Sequence, residues 1–157
     1  MTSGEAAYEV NKALEGTSEG AGDWFEITQE RVNAFADATL DHQFIHIDPE
    51  AAKATPFGGP IAHGFLTMSL LVHLTKSIKQ DPARFAGAVM GVNYGMDKVR
   101  FINPVKVGAR VRASSVVSEV ILKDPNTIQS KRTVTVEIEG VAKPAMIAEW
   151  IGLTVFG

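Results

Sequence analysis

The chain has 157 residues, of which 45% are hydrophobic and 21% are charged, and its formal net charge at pH 7 is −3. These values predict one globular domain, exclude intrinsic disorder as the main state, and argue against binding of nucleic acid through bulk positive charge. Because the chain has no cysteine, disulfides, thiolate metal sites and cysteine catalysis are excluded.

The first 22 residues are rich in glycine, glutamate and alanine. They contain acidic residues and no long apolar run, so they do not resemble a secretory signal. We interpret residues 1–22 as an N-terminal extension and residues 23–157 as a single domain. No apolar stretch is long enough to span a bilayer. We therefore expect a cytoplasmic protein that does not enter a membrane.

A short strand and a helix are predicted at the start of the domain. The segment 23–27 is typical of a short strand, and Thr28 is a favourable helix N-cap. Apolar residues then recur at helical spacing, which predicts an amphipathic helix that ends near Leu40. Residues 41–47 are predicted to be irregular. A short helix follows over 49–53, with Asp48 as its cap and proline in its first turn.

The most apolar helix of the sequence is predicted from Gly64 to Ser77. Apolar side chains cover nearly its whole circumference, which is typical of a helix buried on most sides. The remaining sequence predicts strands within 89–101, 107–122, 131–139 and 146–156. Short connections favour antiparallel pairing. A curved sheet around a central helix, and hence an α+β fold, fits this pattern.

Residues 41–48 contain four acidic or histidine side chains within eight positions. A carboxylate and an imidazole that converge on one water molecule can activate it, which makes Asp41 and His46 a candidate pair. The alternative is structural: Asp41 caps a helix end and His46 fills a half-buried gap. His42 and His46, four residues apart, also allow a metal site, although no HExxH pattern is present.

A second candidate segment is Ile61-Ala-His-Gly64, at the start of the apolar helix. The first N–H groups of a helix have no intrahelical acceptor, and glycine lets a ligand approach the backbone closely. The Gly64 N–H can therefore stabilise a developing oxyanion. The alternative is that Gly64 only permits close packing. His63 is a helix cap or a group that orients the site.

The segments Asp41-His-Gln-Phe-Ile-His46 and Pro60-Ile-Ala-His-Gly64-Phe together resemble the hydratase-2 motif of MaoC-like proteins. These are R-specific enoyl-CoA hydratases and 3-hydroxyacyl-thioester dehydratases. Lys98-Val-Arg-Phe101 and Pro104-Val-Lys-Val-Gly108 also resemble the strand region of that family. The similarity extends from about Trp24 to the C-terminus, and the sequence resembles the subgroup of nodulation protein N.

The resemblance implies a hot-dog fold, in which a curved antiparallel sheet wraps a long central helix, and a homodimer with an acyl tunnel near its interface. Asp41 and His46 match the catalytic pair of the family, and Gly64 matches the glycine whose N–H holds the thioester oxygen. The implied reaction is reversible hydration of a trans-2-enoyl thioester to an (R)-3-hydroxyacyl thioester. It requires no metal and no redox cofactor, because the substrate itself carries coenzyme A or an acyl carrier.

The chain departs from the commonest form of the family motif, Asp-x-Asn-Pro-x-His, because Gln43 and Phe44 replace Asn and Pro. Gln43 and His63 are expected to position the site or the substrate. Residues 61–157 hold 12 of the 15 basic residues. Four of these are candidate contacts for the coenzyme A or carrier arm: Lys98, Arg100, Arg110 and Lys143. Two alternatives stay open, a hot-dog thioesterase and a non-catalytic acyl-thioester-binding protein.

Overall fold

Strands dominate the second half of the chain, where the sequence alternates between apolar and polar residues. The computed structural model describes residues 1–157. Its strands are β1 (Ser18–Ala21), β2 (Phe25–Glu26), β3 (Ala88–Phe101), β4 (Arg110–Asp124), β5 (Thr127–Ile138) and β6 (Met146–Phe156). Its helices are α1 (Ser3–Lys12), α2 (Gln29–Thr39), α3 (Phe44–Ile47), α4 (Pro49–Ala52), α5 (Gly64–Ser69) and α6 (Leu71–Thr75), with a 3-10 helix at Pro82–Phe85.

All strands form one antiparallel sheet in the order β1-β4-β5-β6-β3, with β2 also paired to β4. β6 lies between β5 and β3. Alternate residues of β4 are buried, beginning with Val111 and Ala113, so one face of the sheet carries the core. β3 forms one edge of the sheet.

Local capping signals place the helices that precede the site. Thr28 Oγ1 accepts a hydrogen bond from the Arg31 N–H at 3.2 Å, which confirms the predicted N-cap of α2. α2 ends at Leu40, whose φ of 62° is left-handed and turns the chain towards Asp41. Asp48 caps α4 by accepting the N–H groups of Glu50 and Ala51.

Three predictions about the helices were wrong. The apolar segment 64–77 is not one helix, because α5 and α6 meet at Leu70. Ser69 Oγ donates to the Phe65 carbonyl at 2.7 Å, and such side-chain competition bends helices. The segment is also not buried on most sides, since several of its residues, including Phe65 and Val72, are exposed. Residues 41–47, predicted to be irregular, contain the short helix α3.

The core consists of two hydrophobic clusters. The larger cluster of 16 buried residues lies between the sheet and α5 and α6. The smaller cluster lies under α1 and comprises Ala7, Val117, Val120, Ile128 and Phe156. Residues 1–22 are therefore packed on the sheet, with β1 paired to β4. None of the helices is long and apolar enough to cross a membrane.

Candidate active site

Three polar side chains from separate segments meet at the start of α5. One ring nitrogen from each of His46 and His63 and one carboxylate oxygen of Asp41 all lie within 4.8 Å of one another. Asp41 follows the left-handed end of α2, His46 lies in α3, and His63 is the N-cap of α5. His63 Nε2 donates to the Asp41 carbonyl at 3.0 Å and so joins the end of α2 to the start of α5.

The second hydrogen bond of the site sets the tautomer of His46. His46 Nδ1 donates to the Ile61 carbonyl at 2.6 Å, which leaves Nε2 as a free acceptor. Burial lowers the pKa of His46, and the nearby His63 lowers it further, while the bond to Ile61 and the Asp41 carboxylate raise it in part. His46 is therefore a neutral imidazole at pH 7, which is the form that accepts a proton.

His63 is almost fully enclosed. Its side chain is 2% exposed, and its ring stacks on that of His46 with centroids 3.8 Å apart and an interplanar angle of 26°. The ring of Phe35 also packs against it, at 4.9 Å. His63 Nδ1 is buried without a hydrogen-bond partner. Only its Nε2 is bonded, so the Asp41 carbonyl fixes the orientation of the His63 ring.

Gly64 and His46 line the same cavity, which has a volume of about 280 Å³. Gly64 is the first residue of α5, so its N–H has no acceptor within the helix. The Phe101 ring covers Gly64 closely, because a Cβ atom at position 64 would lie 3.0 Å from it. Only glycine fits there without displacing that ring. A neutral imidazole and a free N–H thus face one small, partly apolar space.

The arrangement suits a water molecule better than a metal ion. The lone pairs of an imidazole lie in the ring plane, so the stacked rings of His46 and His63 direct them side by side and not at one point. In addition, one nitrogen of each ring already donates to a backbone carbonyl. His42, the other histidine of the alternative metal pair, is not part of this cluster, and its Nε2 contacts Asp37 at 2.8 Å.

The other predicted site residues are dispersed. Gln43 is exposed and is the N-cap of α3, with no side-chain capping bond. Lys98 pairs with Glu149 at 3.2 Å, and Arg110 pairs with Glu139 at 3.1 Å. Arg100 and Lys143 are exposed, on β3 and on the β5–β6 connection. The bond of the Ile61 carbonyl to His46 and the packing of Phe101 on Gly64 were not predicted, because both contacts join residues that are distant in the sequence.

Known proteins resemble this chain over most of its length. The family model described as "MaoC like domain" matches residues 10–140. Nodulation protein N of Rhizobium meliloti (strain 1021) is 47% identical over 145 residues, which are 92% of this chain and 88% of that protein. The 3-hydroxyacyl-thioester dehydratase Z of Mycobacterium tuberculosis (strain ATCC 25618 / H37Rv) is 50% identical over 139 residues, which are 88% of this chain and 89% of that protein. The solved structure of the (R)-hydratase from A. caviae involved in PHA biosynthesis superposes on this chain with a TM-score of 0.66 at 25% identity. The superposition covers 84% of this chain and 94% of that one.

Proposed function

The chain belongs to the MaoC-like family of hydratases and dehydratases and has its hot-dog fold, and from this premise we propose that it interconverts trans-2-enoyl and (R)-3-hydroxyacyl thioesters. The observation that carries the proposal is the cluster of Asp41 and His46 beside the Gly64 N–H. Addition of water to a conjugated thioester needs a base for the water and a donor for the oxygen that gains charge, and these three groups have that chemistry.

Asp41 and His46 hold the reacting water in this proposal. Two hydrogen bonds of about 2.8 Å each allow one water to bridge heavy atoms up to roughly 5 Å apart. The carboxylate oxygen of Asp41 and the ring nitrogen of His46 lie within that reach. Asp41 accepts one hydrogen of the water and orients it, and the free Nε2 of His46 accepts the other.

The hydration step transfers one proton through His46. The water oxygen forms a bond to C3 of the enoyl group while its proton moves to His46 Nε2. The π electrons of the C2–C3 double bond move towards the thioester oxygen, which becomes an enolate oxygen. His46 then returns the proton to C2 and is neutral again, so one water has been added and the enzyme is unchanged. Dehydration is the reverse.

The Gly64 N–H stabilises the enolate oxygen. Donors of this kind contribute most where water is excluded, and removing one costs about 3–4 kcal/mol of transition-state stabilisation in a well-studied case. The Phe101 ring packed on Gly64 helps to exclude water from that position. In this proposal, the thioester that binds there lies with its C3 towards the bridging water.

His63 positions the catalytic pair and does not itself react. It holds the Asp41 main chain through the 3.0 Å bond to its carbonyl, and it supports the His46 ring by stacking. Gln43 belongs to the same segment and has a smaller role, because its side chain is exposed and makes no capping bond. The absence of any need for a metal or redox cofactor stays a prediction, as does the cytoplasmic location.

The edge strand β3 supports the predicted homodimer. This strand is unpaired on one side and carries exposed apolar residues, including Val89, Met90 and Tyr94. An uncovered edge of this kind promotes association, and a two-fold axis would place the strand against its own copy. Light scattering should then give twice the 16.9 kDa of one chain. A mass of one chain would show that the proposal of a homodimer is wrong.

Arg100 is the best candidate among the four basic residues for the coenzyme A arm. It precedes Phe101, which covers Gly64, and it has no carboxylate partner, whereas Lys98 and Arg110 are paired with glutamates. Arg100→Ala should raise KM for a coenzyme A thioester more than for the matching pantetheine thioester, which lacks the nucleotide phosphates. An equal effect on both substrates would remove Arg100 from phosphate recognition.

The deciding experiment is a hydration assay. Purified protein is mixed with a short trans-2-enoyl-CoA, and the absorbance of the conjugated thioester is followed, with a thiol reagent in a parallel cuvette. Wild type should remove the absorbance without releasing thiol, and chiral analysis should give the (R) product. Asp41→Asn should be inactive, and Asp37→Asn, an exposed acid in α2, is the matched control.

Each other outcome of the assay identifies an alternative function. Release of thiol would indicate a thioesterase, in which water attacks the carbonyl and not C3. Binding of the substrate without turnover, on short and long chains and on carrier-protein thioesters, would indicate a non-catalytic acyl-thioester-binding protein. Activity in Asp41→Asn equal to wild type would remove the catalytic pair from the mechanism.

A further inference from the structure

The cavity of His46 and Gly64 contains one buried hydroxyl that has no part in the reaction proposed above. Thr67 lies in α5, is only 3% exposed, and lines that cavity. Ser69 and Thr75 follow on the same helical segment, and each of their hydroxyls donates to the carbonyl four residues earlier, at 2.7 Å, whereas the Thr67 hydroxyl has no hydrogen-bond partner in the protein.

The missing partner of Thr67 indicates a ligand group. Buried polar groups almost always have hydrogen-bond partners, so this hydroxyl requires one from outside the chain. The cavity has a volume of about 280 Å³, just below the roughly 300–1,000 Å³ of pockets that enclose a whole ligand, so it suits the reacting end of a longer molecule. The other polar groups on its wall are the His46 ring, the Gly64 N–H and the amide of the half-buried Asn103.

Helical geometry places the Thr67 side chain beside Gly64. Residues three apart in a helix lie on the same face, and side chains lean towards the helix N-terminus, so residue 67 covers the turn that begins at residue 64. The Gly64 N–H and the Thr67 O–H are therefore neighbouring donors on one wall of the cavity. A carbonyl oxygen has two lone pairs, so it is an acceptor for both donors at once.

We propose that Thr67 is a second donor to the thioester oxygen of the substrate, beside the Gly64 N–H. This inference rests on the proposed function, which assigns the first donor. The thioester oxygen gains charge as the enolate forms, and a hydrogen bond to a charged acceptor is stronger than one to a neutral acceptor. The Thr67 O–H therefore stabilises the enolate more than the bound enoyl thioester, and His46 does not compete for that oxygen because its Nε2 is an acceptor.

Two coenzyme A compounds that cannot be hydrated test this contact by isothermal titration of the whole protein. Butanoyl-CoA is a saturated thioester, and S-butyl-CoA is the thioether in which a methylene group replaces the carbonyl. Wild type should bind butanoyl-CoA more tightly. Thr67→Val keeps the size of the side chain and removes the hydroxyl, so it should lose about three- to tenfold in affinity for butanoyl-CoA and nothing for S-butyl-CoA. Equal losses for both compounds, or no loss for either, would overturn the inference.

The hydration assay tests the same hydroxyl in the transition state. Thr67→Val should lower kcat for a short trans-2-enoyl-CoA about 100-fold, with a smaller change in KM, as expected for loss of one donor to a developing oxyanion. Thr67→Ser keeps the hydroxyl and should recover most of the activity. Thr133→Val makes the same chemical change on the outer face of β5, where the hydroxyl bonds to Ser118 at 2.8 Å, and should behave like wild type.

The two experiments distinguish failure of this inference from failure of the proposed function. If wild type hydrates the enoyl thioester and Thr67→Val does so equally well, the role of Thr67 is wrong and the proposed function stands. If wild type does not hydrate it but prefers butanoyl-CoA through Thr67, the contact is supported and the hydration reaction is not. If wild type binds the two compounds equally, or binds neither at millimolar concentration, the inference is wrong. The ratio of two affinities within one variant also excludes a general loss of stability as the cause.

Discussion

The substitution His63→Phe separates positioning of the catalytic pair from filling of space. Phenylalanine keeps an aromatic ring against His46 and Phe35 but removes the Nε2 donor to the Asp41 carbonyl. Loss of one hydrogen bond costs about 0.5–1.5 kcal/mol, whereas loss of the unpartnered buried Nδ1 relieves a penalty of about 1–3 kcal/mol. These effects nearly cancel, so Tm should change by less than about 4 °C.

Activity should respond far more than stability. Without the bond from His63, the Asp41 segment has lost its link to α5, and a displacement of about 1 Å in a catalytic group can reduce the rate roughly 100-fold. We expect kcat in the hydration assay to fall about 10- to 100-fold with a smaller change in KM. His63→Gln keeps an N–H donor and should recover part of the loss.

The matched control for His63→Phe is His42→Phe. His42 lies in the same segment as Asp41 but is exposed and contacts only Asp37, so its loss should leave kcat unchanged. A His63→Phe variant that folds normally and retains the wild-type kcat would refute the positioning role. A variant with a large loss of Tm and of activity together would show instead that His63 is mainly structural.

Four further predictions concern the same site. Asp41→Asn and His46→Gln should each lower kcat by about 10²–10⁴-fold, with melting curves close to wild type; turnover near wild type would exclude the residue from the mechanism. Because the pKa of His46 is lowered from its ordinary value of 6.5, the neutral base persists below that pH, so kcat/KM should stay constant from pH 7 to 6.5 and fall only at more acidic pH. A fall that begins above pH 7 would contradict this. Incubation with a strong chelator should leave activity intact, and loss of activity that zinc restores would favour a metal site. Gln43→Asn should raise the free energy of unfolding by about 0.5–1 kcal/mol through a better N-cap, without lowering kcat, and denaturant unfolding would detect it.

The parts of the fold that depend on residues close together in the sequence could be predicted from it. Thr28 and Asp48 cap helices through bonds to residues two or three positions away, and the alternation in β5 follows from the geometry of a strand. The family and its hot-dog fold were also predicted, because the two motif segments occur together. The roles of Asp41, His46 and Gly64 in this chain stay predictions that the assays above test.

Contacts between distant segments could not be predicted. The sheet register brings Glu19 to Ser115, 96 residues away, and the chain returns after α6 to place Arg84 on the same carboxylate. Nothing in the local sequence marks these residues as neighbours. The interruption of the helix at Leu70 was missed for a related reason, since the periodicity of apolar residues continues through it while the Ser69 side chain bonds to a main-chain carbonyl.

Gln43 and Phe44 replace the asparagine and proline of the commonest family motif, and the contacts around them show how the position of His46 is maintained. In this chain, residue 43 is the N-cap of α3 and residue 44 its first residue, positions where asparagine and proline favour helix initiation. The commonest family motif has those two residues there, and this chain has neither. Tertiary bonds replace them, because Gln29 Nε2 donates to the His46 carbonyl at 2.8 Å and Ile61 accepts from His46 Nδ1. His46 is therefore held from α2 and from the segment before α5, so the loss of the local capping residues affects the stability of α3 more than the position of His46 relative to Asp41.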